Sequence, residues 1–245
     1  MNTIKNKSPL NTLFGAIGDK EFMKGFFEQT KMSLMWLLKS AEDNFDHGNN
    51  APTVLLCHGL WCTNKAMESL WECLREWFNV AYAPNFSLLN TWDMSTSAGQ
   101  LWRKIQFILD TYETNWDLHI LSHSTWWLIA LQALLGGKGK QVNSLTTCAT
   151  PFQWAPIAKL AFPSKAAAQI NAWFLGDNIP PIDSIQSLYM RVAMSATWIP
   201  PQSQELDIDI FPQHTIYHHD FTHTSFIVWE KKDHFAKKYM SSISA

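Results

Sequence analysis

The stretch LHILSHSTWWLIALQALLGG, residues 118–137, decides how this chain folds. Residues 118–121 are mostly apolar and read as a buried strand, and the apolar run that begins just after Ser124 reads as a helix. Only a few residues separate the two, which leaves no room for a long loop. Strand, sharp turn with a central serine, then helix is the layout of a Gly-x-Ser-x-Gly elbow. Ser122 and Trp126 occupy the two glycine places. The serine is a mild change. The indole is a severe one, because it adds a large side chain where helix and strand pack closely.

Outward from this stretch, strands and helices alternate. Residues 52–58, 80–83, 142–148, 188–194 and 214–218 read as strands, and 64–76, 95–112, 125–135 and 228–240 as helices. The helical readings rest on spacing: Met67, Leu70, Trp71 and Leu74 share one face, as do Leu101, Ile105, Ile108 and Leu109. Strands separated by helices imply an α/β fold, with a mostly parallel central sheet and helices on both faces. Residues 155–185 break the rhythm and read as a small helical cap. The cap follows a strand end, where ligands bind in such sheets. The expected organisation is an N-terminal helical extension over 1–50 and one α/β domain over 51–245 that carries the cap.

Composition narrows the function classes. A net charge of −2 gives no basic face for nucleic acid. The four cysteines, Cys57, Cys62, Cys73 and Cys148, have no Cys-x-x-Cys spacing and fit a reducing, cytoplasmic setting. No apolar core follows Lys5 and Lys7, so no secretory signal is expected. The N-terminal helices read either as packing on the domain or as a peripheral contact with a membrane surface.

Three features fall in a telling order. His58-Gly59 closes the first strand, Ser124 sits at the turn after a middle strand, and His223 follows the last strand. In a parallel sheet these strand ends share one edge. Serine needs a base to act as a nucleophile near neutral pH, and histidine titrates in the right range. His214, His218 and His219 lie close to His223. The spacing of His219 and His223 invites a metal reading, with His58 as a further ligand, but no other Cys, His or Asp cluster supports it, so no metal and no cofactor are expected. His58 beside Gly59 reads as a residue that shapes its loop. Ser124 taken alone also suits a helix N-cap.

Six segments together resemble the bacterial α/β-hydrolase-fold esterases and lipases. They are VLLCHGLWCT, FNVAYAPNFSLLNTWDMSTSAGQL, LHILSHSTWWLIAL, CATPFQWAPIAKLA, VAMSATWIPPQS and HHDFTHTSF, in that order over about residues 51–240. The resemblance implies an α/β-hydrolase fold and a serine hydrolase that cleaves small-molecule carboxylic esters, lipid-like or short in the acyl part. It implies Ser124 as nucleophile, His223 as general base, and the backbone N–H groups of Leu60 and Thr125 as the oxyanion hole. It places the acid of the triad near Ala196 and Thr197, neither of which is acidic. Asp183, Asp207, Asp209 and Asp220 are substitutes between which the sequence does not choose. The alternative is a catalytically inactive protein of the same fold that binds a ligand or a protein.

The resemblance also expects glycine at Trp77, Trp92, Trp126, Trp127, Trp154 and Trp198. The chain has 13 tryptophans and 10 glycines, where average usage predicts roughly 17 glycines. Two causes compete: true divergence into a site walled with indoles, or UGA codons that some bacterial lineages read as tryptophan and others as glycine.

Overall fold

A computed structural model describes residues 27, 31, 51–59, 62–85, 93–111, 117–124, 126–136, 142–148, 169, 189–195, 215–218 and 231–243. In chain order the elements are β1 (Thr53–Cys57), a 3-10 turn (Asn64–Met67), α1 (Glu68–Leu74), β2 (Asn79–Tyr82), α2 (Met94–Thr111), β3 (Leu118–His123), α3 (Trp126–Gly136), β4 (Ser144–Cys148), β5 (Tyr189–Ser195), β6 (Thr215–His218) and α4 (Lys231–Ile243). The six strands form one sheet in the order β2-β1-β3-β4-β5-β6, and every pairing in it is parallel.

The alternation within β1 shows how the sequence builds two layers. Leu55 and Cys57 point to one face, where they join α2 and α3 through Leu101, Ile105, Ile108, Leu128 and Leu131. Val54 and Leu56 point to the other, where Leu70 and Leu74 of α1 meet Phe235 and Tyr239 of α4. All five β1 residues are buried, as a strand covered on both faces requires. Each fully buried leucine contributes about 2 kcal/mol relative to exposure.

The elements match the sequence reading to within a few residues, with three instructive shifts. The helix expected over 64–76 begins as a 3-10 turn and ends at Leu74. Strand β3 runs two residues past Leu121, because neighbours on both sides extend the ladder: Cys57 pairs with Ser122 and Cys148 with His123. The last helix, expected over 228–240, continues to Ile243, and residues 228–230 lie outside the described residues. Almost all of the expected N-terminal extension, 1–50, lies outside the described residues; Phe27 and Lys31 are helical and exposed. The expected cap, 155–185, also lies outside them except for Gln169.

Gln169 is tied to the start of α2. Asp93 caps that helix, its Oδ1 accepting from the N–H groups of Ser95 at 2.9 Å and Thr96 at 3.2 Å. Gln169 donates through Nε2 to Asp93 Oδ2 at 3.2 Å, and its Oε1 accepts from the Met94 N–H at 2.7 Å. Gln169 is thereby held at the amino end of α2.

Candidate active site

Strand polarity places the chemistry. Because all strands are parallel, the carboxyl ends of β1 and β3 lie on one edge, and in open α/β sheets that edge holds the ligand. Ser124 follows β3 directly and has φ of 61°, the single positive φ at a non-glycine position among the described residues. Such a conformation costs a serine of the order of 1–2 kcal/mol. It persists because the turn is pinned: the Ser124 N–H donates to the Cys148 carbonyl at the end of β4, at 2.8 Å. Helix α3 begins two residues later. The strained turn therefore lifts the serine out of the strand direction, between strand and helix, with 8% of its surface exposed.

Gly59, just past β1, lies against this turn. A Cβ there would stand 3.0 Å from His123 Nδ1 and 3.2 Å from Ser124 Cβ, so any side chain at this position would have to push a neighbour aside by a few tenths of an ångström. The sequence hinted at this only through a His-Gly pair at a strand end. The bond from Ser124 to Cys148 had no sequence signal, since it joins residues from two different strands.

His58 is completely buried. Its ring lies 5.1 Å from that of Trp126, and its Nδ1 is 3.3 Å from the Gly59 carbonyl oxygen. Burial lowers its pKa to about 4, outweighing backbone hydrogen bonds at Gly59, Pro84 and Cys62 that raise it, while neighbouring His123 lowers it further. His58 is thus neutral near physiological pH, in the loop after β1. Burial raises the pKa of Cys57 and Cys148, which keeps both as inert thiols.

Among the described residues no group of three or more His, Cys, Asp and Glu side chains could hold a metal ion. No helix among them is long and apolar enough to cross a membrane. His223, Leu60 and Thr125 lie outside the described residues, as do His214, His219, Asp183, Asp207, Asp209, Asp220, Ala196 and Thr197.

No family model and no curated protein matches the sequence. Solved structures do match the fold. A lipase of Bacillus licheniformis in its mature form superposes with a TM-score of 0.59 at 15% identity, over 82% of this chain and 96% of that one. A putative hydrolase of Bacillus subtilis gives 0.51 at 10% identity, over 91% and 99%. An N-formylmaleamic acid deformylase of Pseudomonas putida gives 0.50 at 15%, over 76% and 91%. The chain spans less of two longer chains: 52% of the propeptide form of the same Bacillus licheniformis lipase and 28% of lipase B of Aspergillus fumigatus. The chain has the α/β-hydrolase fold. Within that fold, a serine at positive φ between a middle strand and its helix occupies the elbow position. The likeness fixes architecture and leaves the reaction open, since lipase and deformylase share it.

Proposed function

We propose that the chain is a serine hydrolase that cleaves carboxylic esters through an acyl-enzyme on Ser124. The observation that carries this reading is the positive φ of Ser124 at the carboxyl end of β3. Strain of this kind concentrates at functional sites, and the surrounding structure must hold it in place. A serine acting only as a helix cap needs no left-handed backbone, because caps adopt extended angles.

In the proposed reaction the His223 imidazole takes the hydroxyl proton as Ser124 Oγ attacks the ester carbonyl carbon. The carbonyl oxygen becomes an oxyanion, held by the N–H groups of Leu60 and Thr125. Each such donor is worth about 3–4 kcal/mol. Collapse of the intermediate breaks the bond to the alcohol, which leaves with the proton from His223. Water then enters through the same base and frees the acid. An acidic partner for His223 is unassigned, and lack of one costs about 10⁴ in rate. The apolar residues around the elbow favour an apolar acyl group, lipid-like or short.

A fluorophosphonate probe tests the proposal. Labelling of the folded protein that disappears in Ser124→Ala supports it. No labelling of well-folded protein favours the alternative, a binding protein on the same fold, to which the bulk of Trp126 beside the serine also points.

A further inference from the structure

The loop after β1 meets the segment after β2 at both of its ends. Pairing of the two strands runs past β2 to Ala83, whose N–H donates to the Leu56 carbonyl at 2.8 Å. Pro84 has no N–H with which to continue the ladder. At the near end of the loop the fully buried His58 has its Nδ1 3.3 Å from the Gly59 carbonyl oxygen, and backbone groups of Cys62 and Pro84 also act on its ring. At the far end Asn64 opens the 3-10 turn, and its N–H donates to Asn85 Oδ1 at 2.7 Å.

The bond to Asn85 is a cap supplied from another loop. The first N–H groups of a helical turn have no partner inside it, and a side chain just before the turn ordinarily supplies an acceptor. Thr63, in that place, makes no side-chain cap hydrogen bond. Asn85 fills the role from 21 residues further along the chain. Asn64 is buried, where an unmet N–H is costly. Asn85 itself is exposed, so the bond can be removed from its side without opening a cavity in either core layer.

The loop bears on the proposed chemistry. Only Leu60 and Trp61 separate Gly59 from Cys62, and the Leu60 N–H is the proposed oxyanion donor. A Cβ on Gly59 would stand 3.2 Å from Ser124 Cβ, so one end of this short span lies against the serine turn. Each residue extends the chain by at most about 3.6 Å, so fixing Gly59 and Asn64 limits how far the N–H between them can stray. An oxyanion donor works only at about 2.7–3.1 Å from the developing charge. We infer that Asn85 is a positioning residue: by capping the turn at Asn64 it holds the loop that bears the Leu60 N–H in place beside Ser124. The inference rests on the esterase reading and deepens it. Asn85 acts through the loop and not on the substrate.

Two variants test it: Asn85→Ala removes the acceptor, and Asn85→Asp keeps one. With p-nitrophenyl acetate as substrate, kcat of Asn85→Ala is expected to fall between about 10-fold and about 10²-fold, the scale for a misplaced oxyanion donor. KM should stay within about twofold, because the lost interaction belongs to the transition state. Fluorophosphonate labelling of Ser124 should slow by a similar factor. Amide hydrogen exchange in a peptide spanning 58–64 should quicken as the loop loses its tie. Asn85→Asp is expected to restore all of these. An unchanged kcat in Asn85→Ala, a loss confined to the thermal midpoint, or a loss that Asn85→Asp shares in full overturns the inference while the esterase reading stands. If the wild-type protein takes no label, the esterase reading falls first and the inference falls with it.

Discussion

The two ends of strand β3 carry the same residue types and do different things. At its amino end His119 Nδ1 lies 2.7 Å from Ser144 Oγ, and its Nε2 lies 3.0 Å from Asp117 Oδ1. Asn143 donates to the same Asp117 oxygen at 2.8 Å, and the Asp117 carbonyl accepts from the Thr53 N–H at 2.8 Å. Serine, histidine and aspartate are all present there, and the cluster stitches β1, β3 and β4 together. Ser144 is 1% exposed and sits within a regular strand. At the carboxyl end Ser124 is strained, pinned by Cys148 and approached closely by Gly59. The same residue types thus meet different backbone geometry at the two ends, and only the carboxyl end lies where ligands bind in open parallel sheets.

Substitutions can break this comparison. Ser124→Ala should remove probe labelling and lower ester hydrolysis on the order of 10⁶-fold, the scale seen when a serine nucleophile is removed. Ser144→Ala should leave the rate nearly unchanged. Equal losses in the two variants would erase the distinction between the ends of β3.

Gly59→Ala comes next in size. The new Cβ must push on the His123 ring or on Ser124 itself. Overpacking of this sort costs about 1–3 kcal/mol, and a displacement of the serine by about 1 Å costs about 10²-fold in rate. Labelling kinetics and a denaturant midpoint read the two effects separately. A wild-type labelling rate in this variant would show that the close approach is incidental.

Acid should act on the loop after β1. His58 has a pKa of about 4 in the folded chain, below the ordinary histidine value of about 6.5. Between these values the unfolded chain binds a proton that the folded chain does not, so stability is full above about pH 6.5 and falls as pH drops toward 4. The loss saturates below pH 4 and amounts to about 3 kcal/mol for this one group. His58→Asn should flatten the dependence over that window; an unaltered slope would mean that other groups carry it.

The smallest effects lie away from the elbow. Ser144→Ala removes one buried hydrogen bond to His119 and should cost about 1 kcal/mol, read by thermal unfolding. Asp93→Ala removes the cap of α2 and a partner of Gln169, and should cost about 1–2 kcal/mol.

The order of strands and helices among the described residues was legible in the sequence, since short apolar strand runs such as 53–57 alternate with segments of helical spacing such as 101–109. Leu101, Ile105 and Ile108, spaced as a helix face, are all 0% exposed. Ser124 was legible as a turn residue because strand and helix patterns meet there without a gap. Boundaries were less so: β3 extends to His123 because pairing to β1 and β4 continues, and nothing in residues 118–124 alone reports what its neighbours do.

Residue patterns along the chain suffice for the alternation that yields a parallel sheet with two helical layers, because hydrophobic periodicity is a local property. The folded arrangement of strands is needed to see that Ser124 at positive φ bonds to Cys148, that Gly59 touches the same turn, and that His119 near the other end of β3 bridges to Ser144 and Asp117. Those facts depend on which strand ends meet in space, and the hydrogen bonds and close contacts that fix them join residues distant in the chain.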